Sequence, residues 1–223
     1  MLRAASLLGF FSGVLLLASC TSEARYDQAI GVLIDVSGTY ADQKGETVQL
    51  IKRDILPHMI PGDTLLVIRI DSESYERSNV EALLTLDARP SLANAQKLAL
   101  AERLDAFVQR RESASHTDIP GAIMLASEYL REIGAGSSAL VLFSDMQEDL
   151  PKGARRALAA DELRDTHVVA MNVKRLQRDT RDPEAFRRRL ASWEQRLKQA
   201  GALDWRSFMD AEKLPEFLAR IRA

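Results

Sequence analysis

The apolar positions of this chain follow two rhythms. Runs rich in branched aliphatic residues, Ile30 to Ile34, Thr64 to Ile70, Ser138 to Phe143 and His167 to Val173, read as strands. The first is apolar without interruption, as in a strand of a parallel sheet buried on both faces. Between the strands, helical spacing predicts Glu46 to Met59 through Val48, Ile51, Ile55 and Met59. A second helix opens at Pro90 and Ser91, with Leu98, Ala101, Leu104 and Val108 on one stripe, and a third runs from Ile119 to Ile133 until Gly134 and Gly136 stop it. A short helix is expected near Ala154 to Leu163, then one carrying Phe186, Leu190, Trp193 and Leu197 on one face, and a last one from Pro215 to Ile221. Val80 to Leu86 alternates in part after a short turn, which predicts a strand antiparallel to its predecessor at the sheet edge. Strands alternating with helices give an α/β class: a mainly parallel central sheet with helices on both faces and one antiparallel edge strand.

Composition narrows the class without naming a function. A chain of 223 residues, 46% hydrophobic, can bury one good core and is short for two. With 28% charged residues and a formal net charge of -2, the global balance calls for neither nucleic acid nor an acidic substrate. Nine basic against four acidic residues lie between Lys174 and Lys198. They interleave with the stripe of Phe186 and Trp193, so they read as the solvated face of a helix rather than a lipid-headgroup patch.

The first twenty residues change the picture. Arg3 precedes an apolar stretch from Leu7 to Ala18, too short to span a bilayer comfortably and the length of a secretory core. It ends in Leu17-Ala18-Ser19-Cys20, and Cys20 is the only cysteine. This resembles the lipobox of bacterial lipoproteins, which implies a signal peptide over 1–19, a lipid-anchored tether over 20–29 starting at a modified Cys20, and a domain over 30–223. Thr21 in place of an aspartate favours, by resemblance to Gram-negative sorting, the outer membrane over the inner one. The domain has no cysteine, so core packing alone must hold it.

Three segments then place hard oxygen side chains around strand ends. Asp35, Ser37 and Thr39 close the first strand in GVLIDVSGT, Thr117 lies in HTDIPGAI before a helix, and Asp145 follows the strand in LVLFSDMQED. In a parallel α/β sheet, functional groups gather where loops leave the carboxyl ends of strands. If the first and the Ser138 strands are neighbours, all five oxygens share one edge. Such an oxygen-only set suits Mg foremost, with Mn or Ca as alternatives, and does not suit Zn or Cu. His58, His116 and His167 are scattered and offer no competing cluster. Taken singly, each of these residues could instead cap a helix or form a turn, Thr117 or Asp118 ahead of Pro120 above all.

The pattern resembles the von Willebrand factor type A, or integrin I-like, domain and its metal-ion-dependent adhesion site. The family's Asp-x-Ser-x-Ser is matched by Asp35, Ser37 and, conservatively, Thr39, its loop threonine by Thr117, and its last aspartate by Asp145. The likeness covers about residues 30 to 220. It implies a binding module: a divalent cation held by these five residues, with a position left for an acidic side chain of a partner protein. Met146 departs from the glycine that often follows the last aspartate; Gln147, Glu148 and Asp149 then add polar groups at the rim, which either enlarge an acidic rim or offer Glu148 as an internal ligand for the open position. Ser144 reads as packing or hydrogen-bonding locally.

Two other readings stand beside it. One is a scaffold lipoprotein that keeps the fold without using the metal. The other is a Mg-dependent phosphotransferase of the haloacid dehalogenase type, which Ser37 disfavours, since that family resembles Asp-x-Asp-x-Thr and needs a second aspartate there. No G-x-G-x-x-G turn follows the first strand, which argues against a dinucleotide site. No nucleophile and base pair is visible, and the chain is read as no enzyme.

Overall fold

A computed structural model describes residues 25–111, 114–171, 173, 179 and 182–222, without the side chains of residues 39, 41 and 183. The expected signal peptide and Cys20 lie outside the described residues, as does the side chain of Thr39. The elements are β1 (Gln28–Asp35), α1 (Lys44–Leu50), β2 (Thr64–Ile70), β3 (Val80–Thr85), α2 (Pro90–Gln109) and α3 (Ile119–Ile133). They continue as β4 (Ser137–Phe143), β5 (Thr166–Met171), α4 (Pro183–Gln199), β6 (Asp204–Phe208) and α5 (Lys213–Ile221).

The strands form one sheet in the order β3-β2-β1-β4-β5-β6, and within it only β3 runs antiparallel, against β2. The chain therefore leaves β1 toward β2 and β3, then returns to lay β4 on the other side of β1. That reversal opens a crevice at the carboxyl ends of β1 and β4, the place where open α/β sheets bind ligands.

Alternation along β1 divides the core. Ile30, Val32, Ile34 and Val36 face the layer that includes Val48, Ile51, Leu104, Phe107 and Phe217, from α1 and the turn after it, α2 and α5. Ala29 and Leu33 face Ile123, Ala126, Trp193 and Leu197, from α3 and α4. Helices on both faces bury β1 completely, which is why residues 29–34 within it are apolar without interruption.

Several expectations need correction. The first helix widens into a π turn over Ile51–Ile55 and ends in a short 3-10 turn at His58; Leu56 N–H bonds the Ile51 carbonyl, and Pro57 has no N–H to continue the ladder. On α2 the buried stripe is Ala93, Leu100, Leu104 and Phe107, while Leu98 is 66% exposed. The larger Phe107 ring takes the core position, with Lys44 Nζ 4.6 Å above it. No helix forms over 154–163, where the chain is irregular and then turns. Arg156 there reaches the completely buried Asp118 at 2.6 Å, a partner outside the local segment. Strand β6 is a five-residue edge strand, half-exposed and too weakly patterned for its sequence to predict it. Among the described residues, no helix is long and apolar enough to cross a membrane.

Candidate metal centre

The crevice between β1 and β4 gathers three loops. Asp35 is the last residue of β1, and the chain then turns tightly, so that Ser37 N–H and its hydroxyl both donate to Asp35 Oδ1, at 2.9 and 2.5 Å. The loop before α3 lies alongside through a parallel bridge of Ser37 with Ala114, which brings Thr117 Oγ1 to 2.5 Å from Ser37 Oγ. The loop after β4 joins it through an antiparallel bridge, Thr117 N–H to the Asp149 carbonyl at 2.7 Å and Asp149 N–H to the Thr117 carbonyl at 3.1 Å. Asp35, Ser37, Thr117 and Asp145 are all buried here.

Asp35 and Asp145 are close enough to repel. Burial pushes the Asp35 carboxyl up to about 6, hydrogen bonds from Ser37 and Ser144 pull it partly back, and the Asp145 charge adds to the rise. Ser144 Oγ donates to Asp35 Oδ2 at 2.7 Å and accepts from Met146 N–H at 3.0 Å. Its hydrogen bonding is therefore not merely local: it ties the β4 exit to the end of β1. Sequence alone could not identify that role, because it depends on β1 and β4 being neighbours.

The loop before α3 is fixed from below. Asp118 caps α3, as the alternative reading of this segment allowed, with Oδ1 accepting from Gly121 N–H at 2.9 Å. Its Oδ2 accepts from Ser74 N–H at 3.2 Å as well as from Arg156. A Cβ on Gly121 would lie 2.2 Å from Asp118 Oδ2, so only glycine permits this cap. Capping and site-building thus fall to adjacent residues, Asp118 and Thr117.

Two readings of the β4 loop change. Met146 adopts a left-handed φ of 59°, the conformation for which the family's glycine is suited, yet its side chain is fully buried in the α3 and α4 core. Of the two roles open to Glu148, rim charge or internal ligand, the structure shows it at the rim, paired with Arg196 of α4. His116 is not remote either: its Nδ1 lies 3.0 Å from Asp149 Oδ2 at the rim. Among the described residues, no three His, Cys, Asp or Glu side chains form a metal-binding group. The set at this edge is two carboxylates with hydroxyls, hard oxygen donors in keeping with Mg or Ca chemistry.

No protein-family model matches the chain, and no curated protein matches it in sequence. Solved structures match in fold. A mutant of the PilB minor pilin from Streptococcus sanguinis gives a TM-score of 0.50 at 8% identity, over 90% of this chain and 61% of that one. An aerotolerance-related membrane protein from Bacteroides fragilis gives 0.48 at 14% identity, over 88% of this chain and 98% of that one. A von Willebrand factor type A protein from Catenulispora acidiphila gives 0.47 at 12% identity, over 88% of this chain and 42% of that one. This chain thus spans less than two thirds of the pilin and of the Catenulispora protein. The likeness is one of fold: a six-stranded, mainly parallel α/β sheet.

Proposed function

We propose that this chain is a lipid-anchored bacterial envelope protein whose domain captures a partner protein through a divalent cation, Mg foremost. The observation that carries the reading is the meeting of Asp35, Ser37 and Thr117 beside Asp145 at the crevice where the strand order reverses. Asp35, Asp145, Ser37, Thr39 and Thr117 would hold the ion. The fit is chemical: the donors are all oxygen, and two mutually repelling carboxylates, one of them desolvated, gain most from a cation. Bound there, the ion would supply a positive charge to which an acidic side chain of the partner attaches. The pairing of Glu148 with Arg196 favours an open site over one closed by an internal ligand.

Cys20 would carry the lipid, with the outer membrane favoured, and the chain would act as a binding module rather than an enzyme. The scaffold reading predicts the same fold without metal-dependent capture. Pull-down from detergent-solubilised membranes separates the two. A partner retained in Mg, released by EDTA and not retained by Thr117→Ala supports the cation reading; retention that EDTA and Thr117→Ala leave unchanged sinks it.

A further inference from the structure

Helix α4 lies outside all three site segments, yet three of its side chains reach the loop that carries Asp145. Arg189 Nε donates to the Asp145 carbonyl at 3.1 Å, and Trp193 Nε1 donates to the Met146 carbonyl at 2.8 Å. Arg196 pairs with the Glu148 carboxylate. Positions 189, 193 and 196 are spaced by four and three, so they share one helix face.

These holds are rigid. The Arg189 side chain is only 8% exposed, and its NH1 and NH2 groups grip Asp179, fully buried, at 3.1 and 2.8 Å, so its Nε cannot turn elsewhere. Trp193 is locked in the core, with the Arg196 guanidinium 4.0 Å above its ring. The loop needs such support. Met146 has a left-handed backbone that a side chain disfavours, while Gln147 N–H donates to Asp145 Oδ1 at 2.8 Å and so depends on the same turn.

We propose that Arg189, Trp193 and Arg196 are positioning residues of the cation site: through two carbonyls and Glu148 they fix the Asp145 carboxylate beside Asp35. This rests on the cation reading above. Loss of one of these contacts would then cost metal affinity although none of the three residues touches the ion. Arg196 has a second effect, since the same pair keeps Glu148 bound to the helix.

The test uses Trp193→Phe, which keeps a ring in the core and loses the donor, with Arg196→Gln as a partly exposed second variant. Leu197→Val is the control: it loosens the same helix's packing but has no donor to lose. Amide exchange measured in EDTA should quicken at Met146 and Gln147 in Trp193→Phe and Arg196→Gln, and not in Leu197→Val. Calorimetric Mg affinity should fall about fivefold in the first two, the worth of one net hydrogen bond, and stay unchanged in the control. Unchanged exchange at Met146 and Gln147, or equal effects in all three variants, would overturn the positioning role. A wild type that binds no Mg would instead bring down the cation reading, while the exchange comparison still decides whether α4 holds the loop.

Discussion

The Ser37 hydroxyl lies 2.5 Å from the Thr117 hydroxyl, 80 residues further along the chain. Ser37 has one hydroxyl proton and gives it to Asp35, so Thr117 must donate to Ser37, making a chain of two hydrogen bonds that ends on a buried carboxylate. A cation would take over the carboxylate's need for positive charge. Asp35→Ala and Thr117→Ala should each weaken Mg and Mn binding by at least about 10-fold, while Thr117→Ala costs no more than about 1–2 kcal/mol of folding stability and Asp35→Ala, which removes a buried charge, leaves the metal-free fold no less stable at neutral pH. Titration calorimetry beside chemical denaturation checks both, and unchanged affinity in both variants would rule out the assigned ligands.

The Asp35 carboxyl titrates near 6 in the fold against an ordinary 3.8. The folded state therefore holds this proton more tightly than the unfolded chain, and stability falls as pH rises from about 4 to about 6. The loss is of order 3 kcal/mol at neutral pH for this group alone. Metal-free wild type should lose stability across that window relative to Asp35→Asn, which cannot ionise. Added Mg should cancel the loss and bind more tightly as pH passes 6, because the ligand must be deprotonated. Parallel denaturation curves for the two proteins from pH 4 to 7 would refute the assignment.

Met146 combines a left-handed backbone with complete burial. Truncation should cost about 2–4 kcal/mol through lost packing, and glycine should recover about 1 kcal/mol of that by removing the strain. Met146→Ala should therefore be less stable than Met146→Gly, the reverse of the usual order of these residues. Urea midpoints for the pair decide it.

Lipid attachment at Cys20 follows from the Leu-Ala-Ser-Cys stretch. Metabolic labelling with a palmitate analogue should mark the wild type and not Cys20→Ser; equal labelling of both disproves the anchor.

An anchored domain should present its crevice away from the membrane. The fold already holds Arg25, whose NH1 donates to the Gly134 carbonyl at 2.6 Å beside the start of β4. Four residues, 21 to 24, then separate it from Cys20, a reach of at most about 18 Å. That attachment lies at the amino ends of β1 and β4, opposite Asp35 and Asp145. On nanodisc-bound protein, a spin label at exposed Ala88, near the amino-end edge, should be quenched by a lipid-soluble reagent more than one at exposed Asp42, beside the site. Stronger quenching at Asp42 would reverse the orientation.

Sequence by itself determined the α/β class, the parallel core strands, the antiparallel edge and the helix Ile119–Ile133 to the residue, because burial on one or both faces imprints a period on the chain. It also offered Asp35, Ser37 and Asp145 as candidates, since polar oxygens closing apolar runs stand out against that period, and Thr117 as the loop threonine ahead of a helix. Tertiary structure alone decided that β1 and β4 are neighbours, and with it whether those oxygens meet. The same adjacency gives Ser144 its place on Asp35, and packing of α4 gives Arg189 and Trp193 theirs on the Asp145 loop. Leu98 and residues 154–163 depart from their local pattern: the larger Phe107 ring takes the core position on α2, and Arg156 in the irregular segment pairs with the buried Asp118. Periodicity records which face of an element is buried, whereas partners brought together from distant parts of the chain are chosen by packing and charge that no local window contains.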